Sequence, residues 1–191
     1  MWNLPNRITV TRIVLIPIFM IFLLVPMDLG TLHLIEISMP VTHFIAAILF
    51  IVASCTDWLD GYYARKLNLV TNLGKLLDPL ADKLLVMAAF VALVELGFAP
   101  AWMVIVILAR EFAVSILRQI AAVNGEVIAA SKFGKWKTTV QIVAIAALLL
   151  HNAFFAAIGF PFAYLCLWLA VILTVLSGWD YFAKNRQIVL K

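Results

Sequence analysis

Residues 57–82 read DWLDGYYARKLNLVTNLGKLLDPLAD and extend from the end of one long apolar run to the beginning of the next. They contain four aspartates, Asp57, Asp60, Asp78 and Asp82, in a chain of 191 residues that is 65% hydrophobic. A carboxylate at a bilayer is unfavourable unless a cation or a hydrogen-bond donor compensates its charge. Four of them at the ends of neighbouring apolar runs therefore predict a site that holds something positively charged.

The rest of the chain has the composition of an integral membrane protein. Its mean hydropathy is +1.09 and 13% of its residues are charged, values far from those of a soluble domain. A membrane-spanning helix needs about 20 apolar residues. Runs near this length cover residues 8–26, 41–64, 77–96, 101–120, 133–152 and 155–176. The predicted fold is all-α, with six transmembrane helices in one membrane domain covering residues 1–191.

The fifth run is the weakest, because it reaches spanning length only by including Lys135 and Lys137. A five-helix arrangement is therefore the alternative. Residues 3–9, before the first span, either form a short interfacial helix or simply begin that span. No cleavable signal peptide is expected, since the first run is longer than a typical signal-peptide core and lacks a small-residue cleavage site after it.

The basic residues predict the orientation of the spans. All 14 Lys and Arg residues lie in or near the N-terminus, residues 65–77, residues 118–137 and the C-terminus. The opposite loops, at residues 26–41, 96–101 and 151–161, contain none. The positive-inside rule then places both termini on the cytoplasmic side, which requires an even number of spans. A basic cytoplasmic face attracts anionic headgroups and phosphorylated metabolites.

The acidic residues of the second span share one helical face. At 100° per residue, Asp57, Asp60, Gly61 and Ala64 fall within one stripe at its cytoplasmic end. Glycine and alanine there would let a bulky planar or phosphorylated group, or a neighbouring helix, approach the backbone. The sequence thus predicts a cleft lined by carboxylates and small residues.

The other two aspartates begin the third span. Asp78 and Asp82 are an i,i+4 pair and therefore share a face. Residues 66–77 form a short connection, in which Gly74 is expected to set the loop conformation, and this connection keeps the two helices adjacent and antiparallel. The four carboxylates are expected to converge.

The converging carboxylates offer only oxygen ligands, which favour hard divalent cations. The three histidines, His33, His43 and His151, are predicted on the opposite side of the membrane, so a zinc or iron site has little to use. Two Mg²⁺ ions, with Mn²⁺ as the second choice, would neutralise four carboxylates and leave the phosphate charge of a substrate for Arg and Lys. A cation transporter is the alternative, but the apolar remainder of both helices offers no polar route across the bilayer.

The signature made by these residues resembles that of the CDP-alcohol phosphotransferases. Every fixed position of that signature is filled, by Asp57, Asp60, Gly61, Ala64, Arg65, Gly74, Asp78 and Asp82. The similarity extends to residues 5–12 and to the length of six spans. It implies a CDP-linked lipid as donor, which the first six of these residues would bind. It also implies Asp57, Asp60 and Asp78 as metal ligands, with Asp82 as the general base and an additional metal contact.

Segments outside the signature bear on the acceptor. Residues 68–83, 109–112 and 134–141 are similar to those of bacterial family members that use glycerol 3-phosphate, with CDP-diacylglycerol as donor and CMP as leaving group. A second phosphate on the acceptor explains additional cations, since Arg and Lys suit phosphate recognition. The implied acceptor-binding residues are Arg110, Arg118, Lys135 and Lys137. The alternatives are a buried ion pair between Arg110 and Glu111, and a headgroup-anchoring role for the other three.

Two enzyme hypotheses follow from the resemblance. The first is transfer to glycerol 3-phosphate. The second is a related enzyme of the same family that accepts phosphatidylglycerol, serine or an inositol phosphate. In either case we expect a homodimer in the cytoplasmic (inner) membrane of a bacterium, surrounded by membrane lipids, with its active site on the cytoplasmic side and no nucleic-acid partner.

Overall fold

The computed structural model describes residues 4–34, 37–66, 72–123, 125 and 132–186; the side chains of residues 4–8, 57–66, 72–79, 82, 132–133 and 135 are outside this description. The described chain forms six long helices, one short helix and a hairpin. In chain order the elements are α1 (Leu4–Leu24), β1 (Thr31–Leu34), β2 (Ile37–Pro40), α2 (Val41–Lys66), α3 (Asn72–Glu95), α4 (Ala101–Val123), α5 (Lys132–Leu149), α6 (Ala153–Ala156) and α7 (Phe162–Lys184).

The long helices pack into one bundle. Helix α3 contacts α1, α2, α4 and α5, whereas α7 packs on α4 and α5. Buried alanines line the inner faces of α2 and α3, among them Ala46, Ala47, Ala89 and Ala92. Small residues let helix backbones approach closely, which favours van der Waals packing between helices in a membrane. Large side chains such as Phe50 and Phe90 fill the remaining space of the core.

The outer surface of the bundle is apolar. Ile105 and Phe112 on α4 are 63% and 56% exposed, and Val175 on α7 is 53% exposed. A soluble monomer rarely exposes so many large apolar side chains over several helices. Among the described residues, Phe162–Lys184 is the one helix that is both long and apolar enough to cross a membrane, while Thr9–Leu24, Val41–Thr56 and Trp136–Leu149 are shorter apolar helices. Six long helices agree with the six apolar runs, although their spanning remains a prediction.

The prediction of an all-α chain was wrong between α1 and α2. Strands β1 and β2 pair antiparallel there, with Thr31 opposite Pro40 and Leu34 opposite Ile37. Met39 of β2 is fully buried, so the hairpin covers one end of the bundle. Hydropathy averaged over a span-length window does not detect strands of four residues, whose signal is an alternation of period two.

The predicted boundaries of the last span were also wrong. The run at residues 155–176 suggested an earlier start, but α7 begins at Phe162 and ends at Lys184. Gly159 has a φ of 64° and Pro161 is the N-cap residue of α7, so the helical conformation is interrupted between α6 and α7. Asn152 connects the two sides of this break, since its side-chain amide donates to the Phe160 carbonyl at 2.7 Å and its Oδ1 accepts from the Ala163 N–H at 3.1 Å.

The N-terminal alternatives are resolved in favour of a simple helix start. Residues 4–9 form the first turns of α1, which continues without interruption to Leu24 and contains Pro17.

Candidate acceptor and metal site

The backbone places the four aspartates on two helices in contact. Asp57 and Asp60 lie in the last ten residues of α2, whereas Asp78 and Asp82 are the seventh and eleventh residues of α3 because that helix begins earlier than predicted. The two helices touch each other and are joined by residues 67–71, outside the described chain. The side chains of all four aspartates, and those of Ala64 and Arg65, are also outside the description. Their convergence therefore remains a prediction.

Gly74 does not lie in the loop where the sequence suggested it. Helix α3 begins at Asn72, so Gly74 belongs to its first turn. The helix starts before the apolar run because Leu73, Leu76 and Leu77 continue its periodicity beyond the predicted span.

Helices α4 and α5 bring together a carboxylate and two of the predicted acceptor-binding cations. Glu111 Oε1 accepts a hydrogen bond from Lys137 Nζ and lies 3.3 Å from an Arg110 terminal nitrogen. The Lys137 side chain is only 3% exposed, and those of Arg110 and Glu111 are 12% and 13% exposed. The suggested ion pair between Arg110 and Glu111 is thus confirmed. Its carboxylate is shared with Lys137.

Lys83 of α3 joins the same group of residues. Its Nζ donates a hydrogen bond to the hydroxyl of Ser115, which in turn donates to the Glu111 carbonyl one turn earlier on α4. The sequence had not assigned Lys83 to the site. Its position directly after Asp82 was the available signal, but a residue one step along a helix points about 100° away, so only the packing of α3 on α4 brings it here.

Arg118 is held by helix α7. Its Nε donates to the Tyr181 hydroxyl at 3.0 Å, and its guanidinium carbon lies 5.4 Å from the centre of the Tyr181 ring. Tyr181 is 2% exposed and packs against Val114 and Leu117 of α4. This tyrosine could not be expected from the sequence, because its partner lies 63 positions away along the chain.

A glycine makes room for Arg110. A Cβ added at Gly178 of α7 would lie 3.1 Å from Arg110 Cγ, closer than ordinary contact. The Nε of Arg110 is buried and has no hydrogen-bond partner among the described residues. Buried donors are normally satisfied. A buried cationic donor without a partner among the described residues is therefore suited to an anionic ligand.

Hydrogen bonds between buried side chains fix α5 against α7 next to Lys137. Gln141, one turn beyond Lys137, donates to the Thr174 hydroxyl at 3.3 Å. The Thr174 hydroxyl donates to the Ala170 carbonyl, and Ser177 donates to the Thr174 carbonyl. All three polar side chains are at most 2% exposed. This hydrogen-bonded network holds the α5 backbone rigidly next to Lys137.

These charges form one group, which we call the acceptor cluster: Lys83, Arg110, Glu111, Arg118 and Lys137. Its members are close enough to influence one another electrostatically. The cluster holds four cations and one carboxylate, so it carries an excess of three positive charges. An excess of positive charge in a partly dehydrated site favours a polyanion such as a phosphate monoester. The fourth predicted acceptor-binding cation, Lys135, lies on α5 with its side chain outside the description.

The histidines lie toward the other end of the bundle. His43 Nδ1 and His151 Nε2 share a hydrogen bond of 2.9 Å where α2 begins and α5 has ended, beside a cavity of about 250 Å³ lined by Phe98. His43 is 14 residues before Asp57, about 21 Å along the helix. Among the described residues no three His, Cys, Asp or Glu side chains form a group suited to a metal ion. The four aspartates have side chains outside this search, and their oxygen donors fit a hard cation.

The chain is similar to proteins of one enzyme family along nearly all of its length. The model of the CDP-alcohol phosphatidyltransferase family matches residues 2–176. The CDP-diacylglycerol–glycerol-3-phosphate 3-phosphatidyltransferase of Bacillus subtilis (strain 168) is 64% identical over 187 residues, which cover 98% of this chain and 97% of the relative. The proteins of the same name from Rickettsia bellii (strain RML369-C) and Haemophilus influenzae (strain ATCC 51907 / DSM 11121 / KW20 / Rd) are 38% and 39% identical, over 97% and 99% of this chain and 96% of each relative.

Proposed function

This chain belongs to the CDP-alcohol phosphatidyltransferase family, and we propose that it transfers the phosphatidyl group of CDP-diacylglycerol to glycerol 3-phosphate. The products are phosphatidylglycerophosphate and CMP. The observation that carries this assignment is the 64% identity, over nearly the whole chain, with a protein of that named activity. The family consists of membrane enzymes that generally use divalent metal ions.

The acceptor cluster supports glycerol 3-phosphate as the acceptor. This alcohol carries its own phosphate, which serine and other neutral or zwitterionic acceptors lack. Arg110, Arg118, Lys135 and Lys137 are the residues proposed to bind that phosphate, and Lys83 is added to them from its contact with Ser115. The buried Nε of Arg110, which has no hydrogen-bond partner among the described residues, supports an anionic ligand near this guanidinium.

The metal ligands are proposed to be Asp57, Asp60, Asp78 and Asp82. Their carboxylate oxygens suit Mg²⁺ best and Mn²⁺ next. Two such ions, when bound, would neutralise the four carboxylates and stabilise the charge that develops on the diphosphate during transfer. The backbone positions of the aspartates, on two helices that touch, support this assignment.

The donor is proposed to bind along the same helix ends. Asp57, Asp60, Gly61, Ala64, Arg65 and Gly74 are the proposed donor-binding residues. Gly61 and Ala64 leave space for the cytidine nucleotide next to the α2 backbone, and Arg65 pairs with phosphate charge.

Asp82 is proposed as the general base of the transfer. Its carboxylate takes the proton of the 1-hydroxyl of glycerol 3-phosphate while the hydroxyl oxygen attacks the β-phosphorus of CDP-diacylglycerol. The new phosphorus–oxygen bond forms as the bond from the β-phosphorus to the bridging oxygen breaks. CMP leaves with that oxygen, and Arg65 compensates part of its charge.

The protein is proposed to be a multi-pass protein of the bacterial cytoplasmic membrane, with six spans, a cytoplasmic active site and a homodimeric assembly. The distribution of Lys and Arg supports the orientation. The apolar exposed faces of α4 and α7 support contact with lipid or with a second subunit.

A substrate panel tests the activity. Purified protein is incubated with CDP-diacylglycerol and Mg²⁺, and CMP release is followed with glycerol 3-phosphate, serine, phosphatidylglycerol or inositol phosphate as the acceptor. We expect rapid release with glycerol 3-phosphate alone, and loss of that release on chelation of the metal. Release with serine or phosphatidylglycerol, but not with glycerol 3-phosphate, would show that the acceptor assignment is wrong.

A further inference from the structure

The carboxylate of Glu111 has no role in the transfer described above, although it lies at the centre of the acceptor cluster. It belongs to α4, and its partner Lys137 belongs to α5, so their hydrogen-bonded ion pair connects two helices. The same oxygen also faces Arg110 at 3.3 Å. One carboxylate thus orients cations from two elements toward a common point.

Burial makes this contact important for Lys137. The Lys137 side chain is only 3% exposed, and a buried ammonium group is unfavourable without a counter-ion. Lysine is also long and flexible, so an ammonium group without a partner would adopt several positions or move toward water. The ion pair with Glu111 restricts that motion before any substrate arrives.

The charge balance distinguishes this arrangement from an ordinary structural ion pair. A structural pair sets one carboxylate against one cation, whereas Glu111 faces Lys137 and Arg110 and lies within electrostatic range of Lys83. Among the described side chains, the cluster therefore keeps more cations than carboxylates after Glu111 has been counted. Glu111 thus fixes the position of Lys137 without cancelling the positive charge of the whole cluster. The excess positive charge remains able to bind an anion.

We propose that Glu111 is a positioning residue, which holds the Lys137 ammonium group in place for the phosphate of the acceptor. This inference rests on the proposed function, because it assumes a phosphorylated acceptor in the cluster. It adds a residue that does not itself touch the substrate and that carries the same sign of charge as the ligand.

The variant Glu111→Gln tests the proposal, since it keeps the size of the side chain and removes its charge. We expect the KM for glycerol 3-phosphate to rise about tenfold, as for the loss of one charged hydrogen bond. The KM for CDP-diacylglycerol and kcat should stay within about twofold of wild type. The matched control is Glu95→Gln, at the exposed end of α3, where neither constant should change.

The double variant Glu111→Gln with Lys137→Gln covers the case in which the single variant does not fold. Removing both charges of a buried pair is tolerated better than removing one. If Glu111 acts through Lys137, the double variant will have the acceptor KM of Lys137→Gln alone. The proposal would be overturned if the increases in acceptor KM of the two single variants multiplied in the double variant. It would also be overturned if Glu111→Gln raised the KM values for glycerol 3-phosphate and CDP-diacylglycerol equally.

The wild-type enzyme separates this inference from the proposed function. If wild type releases no CMP with glycerol 3-phosphate, the proposed function fails. If wild type does so and Glu111→Gln has an unchanged acceptor KM, the function stands and only the positioning role is refuted.

Discussion

At the scale of single residues, Asp82 carries the most specific chemical assignment in the chain. It is the last carboxylate of the signature and lies on α3 one position before Lys83, whose side chain reaches the acceptor cluster. The proposed base is therefore next in sequence to a residue in contact with the proposed acceptor subsite. The two side chains leave α3 about 100° apart, so this adjacency brings the backbone of Asp82 near the cluster, while the direction of its carboxylate stays a prediction.

The variant Asp82→Asn keeps the shape of the side chain and removes its capacity to accept a proton. We expect kcat to fall about 10³-fold or more, since general bases contribute about 10²–10⁴-fold. Binding of CDP-diacylglycerol, measured with labelled donor, should be largely preserved. Asp28→Asn in an exposed position between α1 and β1 is the control and should have wild-type turnover. Loss of donor binding together with turnover would instead make Asp82 mainly a donor-site residue.

Residue types and their order in the sequence predicted part of the acceptor cluster. Arg110 and Lys137 were expected there, and both lie together in the fold. Lys83, Ser115 and Tyr181 were not expected, because each joins the group through contacts between helices that are distant in sequence. No local pattern contains that information.

At the scale of elements, the contact of α4 with α7 shapes the place of Arg110. Gly178 of α7 lies beside the Arg110 stem, and a methyl group added there would stand 3.1 Å from Cγ. The absence of a side chain at Gly178 of α7 thus leaves the space that the long side chain of Arg110 on α4 occupies.

The variant Gly178→Ala should displace Arg110 by a few tenths of an ångström. We expect the KM for glycerol 3-phosphate to rise about threefold to tenfold through the misplaced guanidinium. The melting temperature should change little, because the gain of about 0.5–1 kcal/mol for alanine over glycine in a helix is opposed by the close contact with Arg110 Cγ. The comparison variant Leu176→Ala alters an exposed side chain of the same helix and should leave KM unchanged. An unchanged KM in a folded Gly178→Ala enzyme would argue against an acceptor-binding role for Arg110.

Apolar runs predicted the number of long helices but not all of their ends. Helix α5 ends at Leu149, and His151 and Asn152 follow in left-handed backbone conformations. Residues 155–161, before α7, are as hydrophobic as a membrane span, so hydropathy alone assigned them to the last predicted span. Gly159 and Pro161 were the local signals of the break.

At the scale of the whole molecule, the predicted topology has the segment after α1 outside the cell and the end of α7 inside it. After Cys55 and Cys166 are replaced by alanine, single cysteines are introduced as Asp28→Cys and Lys184→Cys, both at exposed positions. A maleimide that does not cross membranes should label the first in intact cells and the second only after permeabilisation. Labelling of both from outside would support five spans instead of six.

The acceptor cluster is assembled from α3, α4 and α5, and α7 completes it with Tyr181 and the gap at Gly178. Synthesis proceeds from the N-terminus, so residues 57–82 leave the ribosome long before Tyr181 does. A partly inserted chain can therefore contain every aspartate of the signature and still lack the support for Arg118. If Arg118 binds the acceptor as proposed, competence to use the soluble substrate is expected last during biogenesis, when the final helix has docked.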